Sequence, residues 1–228
     1  MPLFRSALVF LIAAVASAGA SAHSLEDLET LLGDREKYFQ PLDKVAPAFD
    51  LRDASGNALQ LSDFRGKVVV LHFIYASCPD VCPLHAERIA EVQDMVNGTP
   101  MRDAVQFGSI TTDPAKDTPD ILRAYGETHG LDPVNWVFLT IGPGQPEDVT
   151  RRLAEAYGHK FTKTGDGYQT HGIVTHVIDK QGRWRGNFHG LRFSSTNLVV
   201  LVNALINDHH DGAAAGSGSV WDKIRNLF

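Results

Sequence analysis

The stretch whose reading decides the fold is KVVVLHFIYASCPDVCPLHAER, Lys67 to Arg88. Val68, Val69, Val70, Leu71, Phe73 and Ile74 form a short, β-branched, almost continuous apolar run. Such a run predicts a strand covered on both faces, as in a sheet flanked by helices. His72 sits inside it and reads as a core histidine before a ligand. After Tyr75 the hydrophobicity stops and Cys78-Pro79-Asp80-Val81-Cys82-Pro83 follows as a tight turn. Pro83 suits the first turn of a helix, where its missing N–H is not needed. Ile89, Val92 and Met95 carry that helix on. Both sulfurs are therefore expected at or just before a helix N-terminus, whose partial positive charge favours thiolate over thiol.

Outward from this turn the chain alternates strands and helices. A short helix is expected from Ser24, with Leu25, Leu28, Leu31 and Leu32 on one face and Gly33 as its stop. Residues 35–47 read as a linker. A hairpin follows, Ala48 to Leu51 and Leu59 to Leu61, turned by Ser55-Gly56-Asn57. Val105 to Thr112 is a second central strand. Asp113-Pro114-Ala115-Lys116-Asp117-Thr118-Pro119 then leads into a helix capped by Asp117 or Thr118. Trp136 to Thr140 reads as a strand and Glu147 to Tyr157 as a helix. Ile173 to Asp179 and Trp184 to Phe188 form a second hairpin, and Ser194 to Ile206 a closing helix. This order is an α/β domain, a thioredoxin-like mixed sheet with helices on both faces, an N-terminal hairpin and inserted elements.

The chain has 228 residues, 43% hydrophobic and 21% charged, with a formal charge of -6. That suits one globular domain with appendages and argues against nucleic acid as a partner. Arg5, the apolar Ala7 to Val15 and the small-residue site Ala20-Ser21-Ala22 read as a secretory leader over residues 1–22, which implies export. Its removal would expose His23 as a new N-terminus and leave the charge at about -7. The expected organisation is then a helix and linker over 23–46, the domain over 47–210, and a tail over 211–228. In that tail a Gly/Ala/Ser linker precedes Val220 to Phe228. With Trp221, Ile224 and Phe228 on one side, the segment suits packing on its own domain or contact with a membrane surface.

Two cysteines in an exported chain suggest a structural disulfide. The spacing speaks against that purpose, because so small a loop removes only about 2 kcal/mol of unfolded-state entropy. C-x-x-x-C differs by one residue from the C-x-x-C of thioredoxin-type redox proteins. The extra residue lets the second sulfur sit about one helical turn from the first, so both can face one ion. Two thiolates with an imidazole make a soft, low-coordinate set that suits Cu(I) and could hold Cu(II). The candidate imidazole is His171, in Tyr168-Gln169-Thr170-His171-Gly172. In thioredoxin-like folds the loop before the next strand faces the cysteine turn and commonly carries a cis-proline. No proline follows Pro146 here.

Tyr75-x-x-Cys78-Pro79-Asp80-Val81-Cys82-Pro83, Asp113-Pro114-x-x-Asp117-Thr118-Pro119 and a histidine before the hairpin strand together resemble the Sco/SenC family of copper-binding proteins. The resemblance runs over about Pro47 to Ile206. It implies that Cys78, Cys82 and His171 bind copper. It also implies delivery of copper to the dinuclear centre of cytochrome c oxidase subunit II or another exported cuproprotein, from the periplasm or its membrane face. A thiol-disulfide oxidoreductase reducing such a centre's cysteines is the alternative, with Cys78 attacking and Cys82 resolving. A thiol peroxidase is disfavoured, since Tyr75 stands where peroxiredoxins place threonine. Departures from the family pattern are Ala76-Ser77, Leu84-His85 and His176, the last at a position where an aromatic residue is frequent. His85 reads as a surface histidine or an auxiliary ligand, and Asp113 and Asp117 as turn and cap residues or as contacts of the site.

Overall fold

The computed structural model describes residues 25–78, 81–164 and 167–208, with residues 26, 163–164 and 167–171 described by their backbone alone. The expected leader, His23, Pro79, Asp80, His209, His210 and the C-terminal segment lie outside the described residues, as does the imidazole of His171.

In chain order the elements are α1 (Leu25–Arg35), β1 (Phe39–Val45), β2 (Asp50–Asp53), β3 (Ala58–Gln60), β4 (Val68–Ile74), α2 (Val81–Asn97), β5 (Val105–Thr111), α3 (Pro119–Thr128), β6 (Trp136–Thr140), α4 (Val149–Ala156), β7 (Lys160–Thr164), β8 (Gly167–His171), β9 (Val174–Ile178), β10 (Arg183–His189) and α5 (Ser195–Asn207). Eight strands make one mixed sheet in the order β1-β10-β9-β4-β5-β6-β2-β3, and β7 pairs with β8 separately. All seven residues of β4 are buried, as the unbroken apolar run predicts for a strand covered on both faces.

Alternation along the strands divides the core. Val68, Val70 and Ile74 of β4 join Val105 and Phe107 of β5 under α2, α3 and α5. Val69, Leu71 and Phe73 face the opposite side, where Leu153, Ala154 and Tyr157 from α4 pack with Leu51 of β2 and Leu61. The two parallel crossovers, β4-α2-β5 and β5-α3-β6, step the same way across the sheet and so put both helices on one face. The chain then returns to the other side of β4, and α4 covers the second face. Helices on both faces and a mixed sheet are thus as expected. In α5, Leu198, Leu201, Val202 and Leu205 are fully buried, each worth about 2 kcal/mol against exposure.

Two strands differ from the sequence reading. Residues 39–45 lie within the expected linker, yet they form β1, paired antiparallel to β10. An edge strand needs only one covered face and tolerates Pro41, so β1 shows mostly exposed positions and no apolar alternation. The ribbon β7–β8 was not expected either, because its largely polar residues carry no strand signal.

β1 lies close over Gly186, where an added Cβ would enter the ring edge of Phe39. Gly186→Ala is expected to destabilise the fold by about 2 kcal/mol, measured by chemical denaturation, whereas Gly56→Ala at an open turn should cost less.

Candidate metal centre

The site is built where β4 and β5 end side by side. The N–H of Thr112 donates to the Ile74 carbonyl at 2.8 Å, which holds the strand ends together. From there Tyr75, Ala76 and Ser77 turn the chain, and the Cys78 N–H donates to the Tyr75 carbonyl at 3.1 Å. Asp117 locks the turn from beneath. Its Oδ2 accepts from the Ala76 N–H at 2.9 Å and from the Thr111 hydroxyl at 2.6 Å. Thr118, not Asp117, caps α3 through its hydroxyl. Of the two readings for Asp117, the structure therefore favours contact with the site. Burial pushes its carboxyl upward against these two hydrogen bonds. Asp113 shapes the turn, its carbonyl accepting from the N–H of both Lys116 and Asp117.

Cys78 and Cys82 are both buried and are not joined by a disulfide. Their sulfurs are hydrogen-bonded neighbours. The expectation that the helix N-terminus would make thiolates fails for Cys82. Burial pushes its thiol up to about 12. A backbone hydrogen bond from Tyr75 opposes that, and the neighbouring Cys78 and Asp117 add to it. Desolvation of a buried sulfur outweighs the partial charge of a helix end. A bound cation reverses this balance, since a coordinating thiol gives up its proton outright.

A second polar group in this region is also left unsatisfied. The Tyr125 hydroxyl is buried and has no hydrogen-bond partner among the described residues. Burial raises its pKa first, followed by the negative charge that Cys82, Cys78 and Asp117 would carry. Among the described residues no acceptor, the two sulfurs included, lies within its hydrogen-bonding reach. Paired soft sulfurs fit a monovalent or divalent soft cation. No sequence signal marked Tyr125, which reads as an ordinary apolar-face residue of α3.

The other histidines divide between the two faces of the sheet. His85 is buried on α2, against the surface reading. It follows Cys82 by one turn on the inner face, and its Nε2 meets Thr175 Oγ1 at 2.8 Å. Its ring lies 4.8 Å from that of His72. His72 is a core residue as expected, with Nε2 3.2 Å from Ser109 Oγ and, among the described residues, no partner for Nδ1. His159 and His176 meet on the opposite face. Among the described residues no group of three or more His, Cys, Asp or Glu side chains is placed to hold a metal ion. A three-ligand site on the two sulfurs would have to draw its third ligand from a side chain outside them. His171 ends β8, and Gly172 at φ 90° turns the chain toward β9. The β4–β9 register pairs His72 with Thr175. Continued in the same sense, it sets residues 171–173 level with residues 74–76, at the start of the cysteine turn.

A family model described as SCO1/SenC matches residues 39–206. The chain belongs to the SCO1/SenC family. A SCO2-like protein of Rickettsia prowazekii is 29% identical over 160 residues, covering 69% of this chain and 75% of the relative. The structure of Bradyrhizobium japonicum ScoI with copper bound superposes with a TM-score of 0.57 at 26% identity, covering 71% of this SCO1/SenC chain and 99% of the other. BsSco is described as a member of the Sco family of cytochrome c oxidase assembly proteins with a disulfide switch. It gives a TM-score of 0.63 at 19% identity, over 73% and 96% of the two chains, and so shares the fold. No helix among the described residues is long and apolar enough to cross a membrane.

Two outcomes follow from these buried groups. Tyr125→Phe should stabilise the metal-free protein by about 1 kcal/mol, since it removes an unsatisfied hydroxyl, as urea denaturation would show. Burial holds His72 down to about 3 and His159 to about 4, and His85 and His176 well below the ordinary 6.5. Between its folded value and 6.5 each ring takes its extra proton only in the unfolded chain. Stability is therefore full above about pH 6.5 and lost as pH falls, by about 1.4 kcal/mol per unit for each such ring. Melting temperature should drop steadily from about pH 7 to about pH 4, and a flat profile would contradict neutral burial.

Proposed function

We propose that this chain is an exported copper carrier. Cys78, Cys82 and the imidazole of His171 take up one copper ion, as Cu(I) or Cu(II). They pass it by ligand exchange to the dinuclear copper centre of cytochrome c oxidase subunit II or to another exported cuproprotein. One observation carries the reading: two unbridged thiols lie side by side in one turn that Asp117 holds rigid. Membership of the SCO1/SenC family and the copper-bound B. japonicum relative support the same metal.

The residues have separable tasks. Copper is the cargo; on binding it would displace the two thiol protons to solvent and supply one positive charge as Cu(I) or two as Cu(II). Burial at a shallow turn limits water at the sulfurs while leaving a low-coordinate ion open to an incoming ligand. His171 sits on a separate ribbon, so it can be exchanged for an acceptor's ligand without disturbing the cysteine turn. Export and a periplasmic location rest on the leader read over residues 1–22.

Thiol-disulfide exchange is the second reading, favoured by the same pair of neighbouring thiols. Cys78 would attack a partner disulfide and Cys82 would resolve it, leaving a Cys78–Cys82 disulfide and two reduced thiols on the partner.

Titration of the reduced protein should end at about one copper per chain, and His171→Ala should weaken binding by about tenfold or more, as loss of a ligand does. Unchanged affinity in that variant would remove His171 from the ligand set.

A further inference from the structure

The ribbon that carries His171 is anchored by a pair of histidines outside the ligand set. Lys160 at the start of β7 pairs with His171 at the end of β8, so the two roots of the ribbon meet there. His159 immediately precedes Lys160, and His176 follows His171 by five residues, inside β9. Their Nε2 atoms are 2.9 Å apart.

The surrounding bonds decide which ring holds which proton. The Trp184 indole can only donate, and it donates to Asn187 Oδ1 at 2.8 Å. That oxygen also lies 2.7 Å from His176 Nδ1. His176 therefore carries its proton on Nδ1 and offers the lone pair of Nε2, and the bond runs from His159 Nε2–H to His176 Nε2. Tyr157 and Trp184 wall in the His176 ring, with centroids 4.9 and 5.2 Å away. The His159 ring lies edge-on to Phe73, 4.9 Å between centroids. Phe73 belongs to β4, the strand that runs directly into the cysteine turn. The strand before the thiols, the root of the ribbon and the strand after His171 thus converge on one hydrogen bond. Two apolar rings would fill this space equally well. A directional bond in a dry pocket adds orientation that packing lacks.

We propose that His159 is a positioning residue: its hydrogen bond to His176 sets the β7–β8 ribbon, and with it His171, against the Cys78–Cys82 turn. The inference rests on the ligand set proposed above. Supporting partners of this kind fix where a ligand can reach and are felt in metal affinity.

The test compares His159→Leu with His159→Gln, which retains an N–H donor, each alone and combined with His171→Ala. Copper affinity is measured by competition titration, the ligand field of Cu(II) by electron paramagnetic resonance, and folding by thermal melting. His159→Leu should bind about tenfold more weakly with an altered Cu(II) spectrum, while His159→Gln stays within about threefold of the parent. With His171→Ala already in place, neither change should weaken binding further. Wild-type affinity in folded His159→Leu, or an equal loss with and without His171, would overturn the proposal. His176→Phe keeps the ring and removes the acceptor, so it carries the same test if His159→Leu does not fold, and wild-type binding there would also overturn it. The two readings fail differently. An unaffected His171→Ala protein refutes the ligand set and this inference with it. A weakened His171→Ala protein beside an unaffected His159→Leu protein refutes this inference alone.

Discussion

The buried carboxylate of Asp117 is the constraint on which the cysteine turn depends. It accepts the Ala76 N–H and the Thr111 hydroxyl at once, joining the exit of β4 to the exit of β5. Left unpaired where it is buried, such a donor would cost about 1–3 kcal/mol. With both donors satisfied, the chain leaves β4 in one direction only, and the sulfurs of Cys78 and Cys82 are brought together at the head of α2. The carboxyl is itself pushed upward by burial, against these two hydrogen bonds.

That arrangement places two thiols side by side, Cys82 where burial opposes its ionisation, and a tyrosine hydroxyl where it has no acceptor among the described residues. The metal-free site is thus incomplete in a specific sense. Burial holds the Cys82 thiol protonated there. A soft cation would displace that proton. This is the physical content behind a C-x-x-x-C turn in a copper-handling family: the fold holds donors ready and leaves their deprotonation to the ion.

Sealing β4 on both faces also explains where the histidines went. His72 and His85 lie under α2, and His159 and His176 lie under the α4 face, all held neutral by burial. Neutral imidazoles can serve as donors and acceptors inside a core that charged groups could not enter. One of the pairs links the strand before the cysteines to the root of the β7–β8 ribbon, so the burial that sets the acid limit of the fold also ties those two segments together.

Much of this was legible in the sequence because it depends on local pattern. The apolar run of Val68 to Ile74 implied a strand covered twice, Pro83 and Pro119 marked helix starts, and the two-cysteine turn with Asp117-Thr118-Pro119 pointed to the family. Long-range contact decided the remainder. The polar edge strand β1 exists because β10 offers it hydrogen bonds, a ladder between residues about 140 apart with no periodic signature. His85 is buried because α2 turns that face to Thr175, ninety positions away. The Cys82 thiol resists ionisation because desolvation is a property of the assembled surroundings, whereas a helix start can be read from neighbouring residues. Sequence alone determined which atoms are available as ligands. Tertiary structure decided how dry they are and which distant groups hold them, because both depend on packing between segments that never adjoin in the chain.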